Sequence, residues 1–369
     1  MNDDDIIRLA EQATLGSVLL QPTALDDIQR WLRAGDFADT WHSEVFTTML
    51  ERHAAHEPID PQRMADALTE RLGTRRANLP RLADLLHVTP PHPHAVTYAR
   101  MVLDGGLRRE IAGAGVLLRA AAVRCASDRM SRPIFATCNV VDAAMDCAEA
   151  RWAKATGQPH DEVVVPLALR AVMRNTEARM GADKYLSAHP GRDAGSERRN
   201  VIALIGALIA QPDHVPEVAK WLAPARITDP GWRAVYGTLV ELAELGQHID
   251  IVTVAWATRA HAHAHAHHQP GLPGLSQLRA AVDDGWSRQL RPAIQAVAGD
   301  QVRHLADAGA AQLVAGATNP GVLITDLVDT GHLLTSALRR TAAALPIEPA
   351  HSAAAAPVVR TQQIESVSR

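Results

Sequence analysis

An all-α architecture of two tandem modules follows from three properties of the 369-residue chain. Helix-favouring alanine, leucine, arginine and glutamate abound, aromatic residues make up only 4%, and no segment alternates with the period of two that marks a strand. Apolar residues recur instead at spacings of three and four. The third property is internal similarity. Shifted by 190 positions, residues 8–68 align with 198–258 without a gap, and 15 of the 61 columns are identical, against roughly five expected by chance. LGSVLLQP (15–22) falls on IGALIAQP (205–212), Trp31-Leu32 on Trp221-Leu222, Asp39 on Asp229, and Ile59-Asp60 on Ile249-Asp250. Further on the register drifts. LPRLADLL (79–86) meets LPGLSQL (272–278), LRREIAGAG (107–115) meets QVRHLADAG (301–309), and NVVDAAMD (139–146) meets DLVDTGHL (326–333). Loop insertions explain the drift, because loops tolerate length change better than packed elements.

The first copy supplies the element order. Asp3, Asp4 and Asp5 suit a helix N-terminus, Ile6, Ala10, Ala13, Ser17 and Leu20 follow at helical spacing, and Pro22 closes the segment. Leu25, Ile28 and Leu32 predict a short second helix, and Val45, Phe46, Met49, Leu50 and His53 a third. Asp60-Pro61 opens a fourth, with the aspartate as N-cap, and Gly73 stops it. A fifth runs from Pro80 to Leu86. A long helix from about Ala95 to Cys125 carries Leu103, Leu107, Ile111, Ala114, Leu118 and Ala121 along one face. Pro133 is expected to break the chain before a last helix from about Val140 to Lys154. Each copy is thus a small helical head followed by two long helices that fold back as an αα-hairpin. The expected boundaries are 1–158 for the first module, 159–197 for a linker that is in part helical, 198–345 for the second module, and 346–369 for a disordered tail.

Composition bounds function. The 37 basic and 41 acidic side chains give a net charge of −4, which excludes nucleic-acid binding by bulk charge alone. The longest apolar run, VIALIGALIA (201–210), is half the length of a bilayer span, and the acidic MNDDDIIR start lacks the basic region of a secretory signal. A cytoplasmic protein without membrane contact is expected. Cys125, Cys138 and Cys147 lack the spacing of a disulfide framework or a zinc site and read as reduced thiols.

The motifs AEQATLGSVLLQPTALDDI, W-L, DF, W-H-S-E-V-F and EPID, then LPRLADLLHVTP and HAVTYARMV followed by LRREI, resemble the N-terminal domain of the DnaB-type replicative DNA helicases. The resemblance covers about 8–150. The second copy matches more loosely, with Gly231 at the Trp41 position and Trp232 at the His42 position. In that family the motor is a separate ATPase domain holding phosphates in a G-x-x-x-x-G-K-[ST] loop. These 369 residues contain no such loop, so no enzyme activity, catalytic residue, cofactor or metal is expected.

What the resemblance implies is the collar: domains that pair through their hairpins, assemble further, and offer docking surface to primase and loading partners. The expected partner-binding residues are Leu103, Leu107, Ile111 and Leu118 in the first copy and Val302 and Leu305 in the second, facing a replicative helicase, a primase or a helicase loader. Alternatively the stripes pack against their own module, or the two copies pair within the chain as an intramolecular pseudo-dimer, with higher assembly beyond. If the stripes face a partner, charging Leu107 and Ile111 should abolish binding and preserve helicity. A direct single-stranded DNA binder is the second expectation, with phosphate contacts from Arg108, Arg109, Arg198 and Arg199. HAHAHAHH (261–268) sets His261, His265 and His268 on one helical face, and a low-complexity loop insertion is the simpler account of it than a metal site.

Overall fold

The computed structural model describes residues 3–77, 79–92, 94–161, 163, 165–166, 169, 176–189, 191–264, 271–287 and 290–347, and among them every regular element is a helix. The first head comprises α1 (Asp3–Leu20), α2 (Leu25–Ile28), α3 (Thr40–Ala54), α4 (Pro61–Leu72), α5 (Thr74–Ala77) and α6 (Leu79–Val88). Its hairpin is α7 (Ala95–Asp128) with α8 (Arg132–Thr156). A separate helix α9 (Thr176–Ala188) follows. The second head is α10 (Ala194–Ala210), α11 (Val215–Ala219), α12 (Pro230–Glu244), α13 (Ile251–Ala264) and α14 (Leu275–Ser287), and its hairpin is α15 (Leu290–Thr318) with α16 (Ile324–Ala342).

The repeated residues do repeated work. Asp39 accepts hydrogen bonds from the backbone N–H groups of Trp41 and His42, and Asp229 accepts one from Trp232, so each caps the same helix of its head. Asp60 accepts from the Arg63 N–H, and Asp250 accepts from the Thr253 N–H while its own N–H donates to Thr253 Oγ1. Gly16 and Gly206 make the tightest crossings: a Cβ on Gly16 would stand 2.5 Å from the Leu85 carbonyl oxygen, and one on Gly206 1.9 Å from that of Ala281. Only glycine lets α1 lie on α6, and α10 on α14, at this distance. Trp31 and Trp221 are buried core anchors.

One expectation is corrected. Pro133 does not break the chain: α8 begins at Arg132, and proline occupies its first turn, where its missing N–H has no intrahelical partner to lose. Within the expected linker 159–197, which is in part helical, the segment 181–199 carries helix. Its first part completes α9, which lies on α7 with Arg124 stacked 4.5 Å from the Tyr185 ring centre, and its last part begins α10, capped by Asp193. Most of 160–175 and all of 348–369 lie outside the described residues.

The two hairpins come together. α7 packs along α15 and α8 along α16, so the four long helices form one antiparallel bundle with the heads attached to it. Near its middle Gly115 approaches Ala310, and toward one end Gly299 approaches Ala126; a Cβ on either glycine would stand 3.0 to 3.2 Å from its neighbour. These contacts set the antiparallel direction and relate the halves by an approximate twofold. One continuous apolar core runs through both modules. Among the described residues no single helix is long and apolar enough to cross a membrane; α10 and the segment Pro212–Ala219 qualify only as a pair bent by 115°.

Candidate functional site: the hairpin junction and the two head surfaces

Helix α7 has apolar and small residues around much of its circumference because α1, α8, α9 and α15 all cover it. Leu103, Leu107, Ile111, Leu118 and Val302 are all buried, and Leu305 is half-buried against the same core. Of the three expectations for these stripes, exposure to a separate partner is the one the structure corrects: they lie inside the chain, as packing on their own module or pairing of the two copies requires. The cover comes from α1 and α8 of the same module, from α9, and from α15 of a second hairpin that the chain itself holds at high local concentration. Charging Leu107 or Ile111 would therefore place an unpaired charge in the core, so retained helicity is no longer the expected result.

The arginines expected to contact phosphate are mostly engaged as well. Arg108 donates from Nε to Asp104 at 2.7 Å and from its two terminal nitrogens to the carbonyl oxygens of Asn319 and Val322, at 2.9 and 2.8 Å. Its guanidinium thus clasps the α15–α16 turn of the other module, next to the C-terminal end of α15, where the helix dipole favours a cation. Arg109 donates to the Asp36 carbonyl oxygen, and burial pushes its pKa down. Arg198 pairs with Asp229 at 2.7 Å. Arg199 stays exposed, 3.8 Å from the equally exposed Asp193.

Further polar contacts join the halves. Arg119 meets Asp307 at 2.9 Å between α7 and α15. Asp142 of α8 receives Arg339 at 2.5 Å and the Thr335 hydroxyl at 2.5 Å from α16. Ser131, in the turn of the first hairpin, donates its N–H to the Pro346 carbonyl oxygen at 2.9 Å. Arg119, Asp307, Asp142 and Thr335 belong to ordinary polar helix faces until the opposite helix is known, and the sequence does not single them out.

Outside the junction the heads differ. Val252 and Trp256 are one helical turn apart on α13, 69% and 78% exposed, while the corresponding α4 positions in the first head are Gln62 and Asp66. Among the described residues no group of three His, Cys, Asp or Glu side chains is arranged to hold a metal, and His265 and His268 lie outside them. Cys125 and Cys138 are buried thiols whose pKa burial pushes up to about 12, and Cys147 is half-buried.

Fold and site together define a tandem helical-domain protein closed by an internal hairpin junction. Residues 7–104 and 201–276 match the family described as the DnaB-like helicase N terminal domain, and the chain carries two copies of that domain. It is 35% identical over 107 residues to the replicative DNA helicase DnaB of Mycobacterium leprae, covering 29% of this chain and 18% of that protein. The DnaB helicases of Leifsonia xyli and Pasteurella multocida are 33% and 32% identical, with 24% and 22% of their lengths covered. The match therefore spans about a fifth of each of these helicases and 28–29% of this chain. No solved structure matches.

Proposed function

We propose that this chain is a non-catalytic accessory protein of DNA replication, a self-paired helicase-collar module that docks onto a component of the replicative helicase assembly: the helicase, its primase or its loader. The two domain matches support the setting. The internal hairpin pairing supports the self-contained form, because the ridges that would recruit a second collar are already covered. The observation that carries the docking role is Trp256, a tryptophan 78% exposed beside Val252 on a regular helix. Tryptophan in this setting costs solubility and is the residue type most enriched among the anchors of protein interfaces.

The test is binding of the full chain to purified helicase, primase and loader from the same host, read by biolayer interferometry. Replacing Trp256 with Ser and Val252 with Gln should weaken the interaction at least tenfold and leave the circular dichroism unchanged, since both side chains stand in solvent. Absence of binding to all three proteins, or binding indifferent to both substitutions, would overturn the proposal.

A further inference from the structure

The first module holds an open cavity of about 760 Å³ between α2, the start of α7 and the end of α8. Arg30, Arg100, Lys154 and His160 line it, with Asp27 as its acidic member and the buried Trp31 as its floor. The three cations are exposed and come from three different elements. Neither Arg30, Arg100 nor Lys154 forms an ion pair among the described residues, although acidic side chains outnumber basic ones in the chain, 41 to 37. The other arginines weighed as phosphate contacts, Arg108, Arg109, Arg198 and Arg199, each have a carboxylate or carbonyl within reach. Convergence of unneutralised cations on one concave space carries a cost in mutual repulsion that an anion would relieve.

The second module supplies an internal contrast. In the registers of the repeat Arg30 corresponds to Lys220, Arg100 to Ile294 and Lys154 to Thr341. Ile294 packs on the core and Thr341 is buried. The equivalent place has thus lost two of its three cations, so the basic cavity is not a requirement of the domain's fold.

We infer that this cavity binds phosphate groups, carried by a nucleic-acid strand or by a free nucleotide. Guanidinium forks from Arg30 and Arg100 match phosphate oxygens in pairs, and Lys154 adds a point charge. A cavity open at the surface admits a strand passing across it as well as a single nucleotide. Trp31 is too deeply buried to stack on a base, so recognition would rest on phosphate and be indifferent to sequence.

The experiment is fluorescence anisotropy of labelled (dT)20 with the full chain between 50 and 200 mM salt, with competition by unlabelled dTMP and by a ten-residue poly-aspartate peptide. Arg100→Gln with Lys154→Gln should weaken (dT)20 binding at least tenfold at 50 mM salt. The slope of log K against log salt should fall by about 1 to 1.5, as expected for two lost single-strand phosphate contacts. Lys220→Gln, the matched change in the second module, should alter neither. Competition by dTMP at concentrations comparable to nucleotide in the strand assigns the site to free nucleotides, and competition by the strand alone assigns it to nucleic acid. No binding at 50 mM salt, an unchanged slope in the double variant, or equal competition by poly-aspartate would overturn the inference. These side chains are solvent-exposed, so the variants are expected to fold, and circular dichroism checks it.

Discussion

Where the first head buries Glu11 beside His42, the second sets Val201 and Trp232 at the same positions of the repeat. Glu11, 1% exposed, accepts from His42 Nδ1 at 2.7 Å and from the backbone N–H groups of Ala38 and Asp39, fixing the entry to α3. Val201 and Trp232 are both buried members of the apolar core. A second polar pair is not exchanged for apolar packing. Asp36 forms a buried ion pair with Arg151, while its counterpart Arg226 lies beside Arg340, pushed down in pKa by burial and that neighbouring charge, and donates to the Thr341 hydroxyl at 3.4 Å. Trp41, whose indole donates to the Ala77 carbonyl oxygen and stacks under Arg81, is answered by Gly231, where a Cβ would stand 2.1 Å from the Gly271 carbonyl oxygen. At the Glu11–His42 position, one helical scaffold therefore accommodates either a buried hydrogen-bonded polar pair or two apolar residues. The outer surfaces diverge in parallel: cations around a cavity on the first module, an exposed tryptophan on the second.

The largest effect should come from exchanging only half of a pair. Glu11→Val leaves His42 and two backbone N–H groups without their acceptor and should cost about 3–5 kcal/mol in denaturant unfolding. Adding His42→Trp, which restores the apolar pair found in the second head, should recover a substantial part. A double variant no more stable than the single one would break the equivalence of the two centres.

A smaller loss is expected at the junction. Arg108→Ala removes charged hydrogen bonds to two carbonyls of the α15–α16 turn and should destabilise by about 1.5–3 kcal/mol. Hydrogen exchange should rise at the α15–α16 turn more than in either head; uniform acceleration would mean the clasp does not act locally.

The smallest effect concerns acid. Burial pushes Asp39 up, but the Arg81 hydrogen bond, the His42 charge and the Trp41 N–H outweigh it, so its carboxyl lies below the usual range. Asp229 is likewise pushed up by burial and brought below the usual range by Arg198 and the Trp232 and Gly231 N–H groups. A depressed carboxylate stabilises the fold fully above its ordinary value near 3.9, and loses that contribution as pH falls through the lower folded value. Melting temperature should drop below about pH 4, and Asp39→Asn with Asp229→Asn should flatten that drop; an unaltered acid limb would remove the caps as its cause.

The duplicated layout, the aspartate caps and the glycine crossings were legible in the residues because each is a local requirement. A side-chain acceptor beside a free helix end needs only neighbours, and a glycine repeated at the same place in two copies marks a close approach. The role of Arg108 was not legible, since a basic pair on a long helix looks the same in solvent as against the end of another helix. Arg30, Arg100 and Lys154 lie 124 residues apart at the extremes and converge only when α8 folds back on α7.

By itself the sequence determined two helical modules and the face of each long helix that must leave water. Tertiary structure alone decided what that face meets. A period of three and four specifies a direction around a helix axis, whereas a partner is specified by shape and by what lies within reach, and here the nearest matching ridge belongs to the same chain.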